Sequence, residues 1–110
     1  MKEFRHLGSA MLGGLVLAQA ATNIGAAGDI KMGEELAREV CRRCHDVEPG
    51  GVFKEYPPSF TSIAVFRSPK QIYGKIVFAP LHGEMPPLTH RLTPTNVENL
   101  VAYIVSLEDR

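Results

Sequence analysis

Apolar residues recur at three- and four-residue steps in four stretches of the chain, each bounded by proline, glycine or a capping side chain. In the first, Gly33, Ala37, Val40, Cys41 and Cys44 share one face of a helix predicted from Ile30 to about Arg43. Asp29 stands at its N-cap, and Glu34 and Glu35 lie near the end where the helix dipole favours acids. Arg38, Arg42 and Arg43 fall largely off that face and read as solvated side chains. The pattern stops from Asp46 to Pro58, where Pro49-Gly50-Gly51 and Pro57-Pro58 mark an irregular loop. Phe60, Ile63, Ala64 and Phe66 predict a short helix ended by Ser68-Pro69, and Gln71 to Phe78 predicts another, with Ile72, Ile76 and Val77 apolar. Ala79 to Arg91 is again irregular, with Pro80, Gly83, Pro86 and Pro87. The last helix has Thr93 as its N-cap and Pro94 in the first helical position, where a missing N–H costs nothing. Val97, Leu100, Val101, Ile104 and Val105 or Leu107 continue its apolar stripe. No stretch alternates as a strand does. The fold class is all-α.

A different pattern precedes residue 28. Lys2, Arg5 and His6 form a short basic region, broken only by Glu3, and an apolar run follows from Leu7 to Ala18. Ala18-Gln19-Ala20 fits the small-x-small rule of a cleavage site, and Gly25-Ala26-Ala27 is a second candidate. Residues 1–20 are therefore expected to be a signal peptide, reaching to residue 27 if the second site is used, and 28–110 the folded domain. An uncut leader would instead anchor the chain to the inner membrane. Gln19, Thr22, Asn23 and several glycines weaken that alternative. The expected compartment is the periplasm.

The length of 110 residues allows one small domain. With 12 basic and 12 acidic side chains there is no field of one sign to hold nucleic acid. Both cysteines lie in Cys41-Arg42-Arg43-Cys44-His45. Two thiols at this spacing, followed by an imidazole, read as the attachment site of one c-type haem: Cys41 and Cys44 form thioethers and His45 binds the iron. A thioredoxin-like dithiol is the first alternative, but there CxxC opens a helix after a strand, whereas here it closes a helix. Zinc is the second, but it wants four ligands and no other compact ligand pair is present. Covalent haem attachment in bacteria takes place outside the cytoplasm, so the leader and the motif support each other.

The iron then needs a sixth ligand or an open site. Beyond the leader the only methionines are Met32 and Met85. Met32 is on the helix that carries the thiols, whereas Met85 lies in a proline-flanked loop far enough along to reach the opposite face. Met85 is the expected ligand, with His82 and His90 as competitors and core gap-filling as its alternative role. The other ring N–H of His45 needs an acceptor, which a carbonyl of the Pro57-Pro58 turn could supply, unless those prolines only stiffen the loop.

These features resemble a class I c-type cytochrome, of the small bacterial monohaem group. The resemblance rests on Gly28-Asp29 and Gly33, on CRRCH, on Pro58-Ser59-Phe60, on Gly83-Glu84-Met85-Pro86 and on Leu100-Val101-Ala102-Tyr103-Ile104. It implies a cytochrome c-type fold, with N- and C-terminal helices crossing over the haem, Gly33 allowing their approach where Tyr103 packs, and an axial methionine from the loop before the last helix. The chain departs from the pattern at Ala37, where relatives commonly carry an aromatic residue. It has no Trp, which leaves Tyr73, Arg67, Lys70 and Lys75 as groups for the haem propionates. The lysine-rich rim of the mitochondrial relatives is also absent. The expected function is non-enzymatic electron transfer by a periplasmic monomer with redox-protein partners. The alternatives are a haem-based sensor with a labile sixth site and the cytochrome subunit of a dehydrogenase or oxidase.

Overall fold

A computed structural model of the chain describes residues 13–14, 28–54, 56–79, 84–88 and 90–109. The expected signal peptide lies outside the described residues, Gly13 and Gly14 excepted. Four α-helices form and no strand is present among the described residues: α1 (Ile30–Leu36), α2 (Phe60–Phe66), α3 (Pro69–Val77) and α4 (Pro94–Ser106). Among them no helix is long and apolar enough to cross a membrane.

Each helix starts on a side-chain cap. Asp29 accepts from Met32 N–H, Ser59 from Ser62, Ser68 from Gln71 and Thr93 from Asn96, and the last two are full capping boxes. Ser68-Pro69 therefore ends α2 and also opens α3, two residues before the expected start at Gln71. Proline in the first turn is compatible with helix, whereas the backbone at Arg67, with φ −130° and ψ 138°, is extended.

The first helix also departs from its expected course. Past Leu36 it widens into a π-helical segment, Ala37–Cys41, in which Arg42 N–H bonds back to the Ala37 carbonyl at 3.1 Å. Regular α-helix ends at Leu36 and the π-helical segment at Cys41, two residues short of the expected Arg43, and Cys44 sits exposed in the turn rather than on the buried face. The widening has a packing reason. Residues four apart drift by ~40° around an α-helix, so Gly33, Ala37 and Cys41 would spiral off one face. A wider turn opposes that drift, and all three are buried.

The core is built around α1 and α4. An added Cβ on Gly33 would strike the Asn99 carbonyl and come within 2.9 Å of Tyr103 Cβ, so the two backbones are in direct contact there. Gly28 makes a similar approach at Glu98, and Asn99 Oδ1 accepts the Asp29 N–H at 2.8 Å. Ala37, in the π-helical segment, is fully buried without an aromatic ring. Along α4, Val97, Leu100, Val101 and Ile104 are buried as expected, and of the two final candidates Leu107 is the fully buried one. Phe60, Ala64, Ile72 and Ile76 bring α2 and α3 into the same core.

Gly33→Ala is expected to force the helices apart and to cost about 1–3 kcal/mol, read as a lower denaturation midpoint of the haem-loaded protein. Arg38→Ala removes two exposed ion pairs, to Glu34 and Glu48, and should leave that midpoint nearly unchanged.

Candidate functional site

The site grows out of the turn that ends the widened helix. The Cys41 carbonyl accepts both Cys44 N–H, at 3.2 Å, and His45 N–H, at 3.0 Å, so the chain curls back and presents the imidazole one turn after the first thiol. His45 is half-buried. Its Nδ1 donates to the Pro58 carbonyl at 2.6 Å, and its ring lies 5.5 Å from that of Phe60. The carbonyl expected from the Pro57-Pro58 turn is thus that of Pro58. With the proton on Nδ1, Nε2 carries the lone pair and is the nitrogen able to bind a metal.

Three contacts brace the loop that supplies this acceptor. Phe60 N–H bonds the Asp46 carbonyl at 2.8 Å and closes the loop at its base. The Tyr103 hydroxyl, inside the core, donates to the Val47 carbonyl at 2.6 Å. Outside, Arg38 grips Glu48 through two hydrogen bonds of 3.0 and 2.9 Å and also pairs with Glu34 at 2.8 Å. The hydrogen bond from Arg38 holds the Glu48 carboxyl below its usual range. Phe60, 6.4 Å from the Tyr103 ring, passes the support of the α1–α4 crossing on to His45.

The two thiols are free and unequal: Cys41 is buried and Cys44 exposed. Burial, with the Cys44 charge adding, pushes the Cys41 thiol up to about 11. An exchange dithiol needs a depressed pKa, so this environment is the reverse of a thioredoxin-like site. Among the described residues no group of three or more His, Cys, Asp or Glu side chains is placed to hold a metal ion, as the zinc alternative requires.

Of the proposed sixth ligands, Met85 is half-buried and packs against the core, in a segment without regular structure. His90 is exposed in the turn before α4, and His82 lies outside the described residues. The Glu84 N–H donates to the Tyr56 hydroxyl at 3.2 Å, joining the methionine segment to the Pro58 loop. Pro58 also borders a cleft of about 480 Å³, with Phe53, Ile63 and Phe66 as apolar walls and Lys54 and Arg67 as cations. A second cavity of about 220 Å³ lies between α3 and α4, beside Tyr73, Ile76 and Leu92.

The family model described as cytochrome c oxidase, cbb3-type, subunit III matches residues 28–104. The chain belongs to that family. It is a c-type haem electron-transfer cytochrome, of class I and with one haem motif. No curated protein and no solved structure matches the chain significantly.

Membership of this cytochrome family implies covalent haem c, and the residues present fit it. The two thiols are free, the imidazole has Nε2 available, and the Pro58 that holds it also borders a cleft within the cofactor range of about 300–1,000 Å³. Phe53 and Phe66 meet edge to face, at 5.9 Å and 78°, yet stay 58% and 66% exposed, an apolar surface suited to a porphyrin. Thr61 Oγ1, on α2, is buried and has no hydrogen-bond partner among the described residues. Of the four groups named for the propionates only Arg67 borders the cleft, whereas Tyr73 lines the cavity by α3. Lys54 carried no sequence signal. Nor did the hydroxyl contacts of Tyr56 and Tyr103, whereas Asn99 could have been flagged as a polar residue in an apolar stripe.

Phe60→Ala should cost about 3–5 kcal/mol, because it empties the contact between His45 and Tyr103, whereas Phe60→Leu should lose much less. Denaturant titration of the two variants, followed through haem absorbance, measures both.

Proposed function

We propose that this cytochrome is an exported, non-enzymatic electron carrier, with one haem bound through Cys41 and Cys44 and ligated by His45 and Met85. The observation that carries the reading is the hydrogen bond from His45 Nδ1 to the Pro58 carbonyl, which fixes the tautomer and aims Nε2 away from the loop. When bound, the haem supplies a one-electron couple at its iron. The residues of the chain do the rest. The thioethers keep the group in place through both oxidation states, and His45 is held still by Pro58 and Phe60. Met85 offers a soft, neutral thioether that favours the ferrous state and closes the site to external ligands. No substrate bond changes, so no side chain is assigned a catalytic role. The basic, apolar and small-x-small pattern of residues 1–27 supports delivery to the periplasm.

The family description favours a second arrangement, in which the domain transfers electrons as a fixed part of an oxidase complex. Its partners are redox proteins in either case. Size-exclusion of native extract separates the two, since a free carrier elutes as a small monomer and a subunit with its complex.

Met85→Ala is expected to retain covalent haem on a denaturing gel, to lower the reduction potential, and to let carbon monoxide bind the reduced protein. An unchanged potential with no carbon monoxide binding would remove Met85 from the iron.

A further inference from the structure

We propose that Tyr56 is a positioning residue for the sixth ligand, holding Met85 in place through the backbone of Glu84. This role rests on the His45/Met85 reading above.

The segment 56–58 bears on both axial residues at once. Its last residue, Pro58, accepts from His45 Nδ1 at 2.6 Å. Its first, Tyr56, accepts at 3.2 Å from the N–H of Glu84, the residue directly before Met85. The two contacts span 13 and 28 residues of sequence, so neither is a local turn. A short and stiff stretch, two of its three residues proline, thereby spaces one ligand from the other.

Among the described residues the methionine segment has few ties. Residues 85–88 have no regular structure, so no helical ladder holds them. At the far end Leu88 is buried, and its carbonyl accepts from Arg91 N–H, at 2.8 Å, and Leu92 N–H, at 3.0 Å. At the near end the Tyr56 hydroxyl takes the Glu84 N–H. Met85 is thus suspended between two fastened points. The Tyr56 ring is 63% exposed, so its packing is modest and the hydroxyl is the functional part of the side chain. Losing that hydroxyl frees the near end, and Met85 then spends more time away from the iron position. His45 keeps its own acceptor, because the Pro58 carbonyl is main chain.

The test uses the haem-loaded ferric protein, with imidazole as the probe for the sixth site. Wild type should show the far-red sulfur-to-iron band of a bound methionine and bind imidazole weakly. Tyr56→Phe should retain covalent haem and the band at low temperature, but bind imidazole about two- to tenfold more tightly, the factor set by one ordinary hydrogen bond. Tyr56→Leu should match Tyr56→Phe, since the hydroxyl is lost in both. Imidazole affinity equal to wild type in Tyr56→Phe overturns the proposal. So does loosening in Tyr56→Leu alone, which would assign the effect to the ring. A wild-type spectrum without the methionine band overturns the axial assignment itself, and the role of Tyr56 with it.

Discussion

Direct backbone contact between α1 and α4 is the constraint from which the rest of the structure follows. It exists because Gly33 presents no Cβ to the Asn99 carbonyl and Gly28 none to Glu98. Tyr103 lies beside that contact and is fully buried. Its hydroxyl reaches the Val47 carbonyl, 56 residues away in sequence, and its ring supports Phe60. A contact between two helix backbones therefore decides where the loop after the haem motif runs. Such contacts act more as geometry than as energy. Most of the stabilisation comes from the apolar stripe of α4 and its partners on α2 and α3.

The site inherits this order step by step. The widened last turn of the first helix brings Cys41 back to the buried face, and its carbonyl then gathers the N–H groups of Cys44 and His45. Phe60 places the imidazole from below, and Pro58 fixes its tautomer. The same loop reaches across, through Tyr56, to the segment that carries Met85. An electron carrier benefits from such bracing, since a site that moves little between oxidation states pays little reorganisation on each transfer. The exposed ion pairs of Arg38 tie the outer side of the loop but add little stability of their own.

How much of this was legible in the sequence depended on whether a signal was local. The caps at Asp29 and Thr93 are written in one or two side chains, and the stripe of α4 repeats over 13 residues, so these helices could be placed from pattern, whereas Ser59 and Ser68 were not read as caps. The haem motif and the resemblance to class I cytochromes likewise lie in short strings, and the family match over residues 28–104 agrees with them. The π-helical turn left no such mark, because it answers to the burial of Gly33, Ala37 and Cys41 on one face rather than to a local motif. Cys44 was misplaced for that reason. The hydroxyls of Tyr56 and Tyr103 act across loops, and no periodicity reports which carbonyl or N–H they will meet, nor that Lys54 will border the cleft. The Pro58 acceptor was half legible: two prolines marked the turn, but only the fold chose between support for His45 and simple stiffening.

The central claim is that one braced cage gives a single haem two permanent axial ligands, His45 and Met85. The visible and far-red spectrum of the purified ferric protein tests it most directly. The account predicts a low-spin spectrum with thioether-linked haem and the weak sulfur-to-iron band, unchanged when imidazole is added at low concentration. A high-spin spectrum, or a low-spin one without that band, would contradict it and would point instead to an open or bis-histidine site.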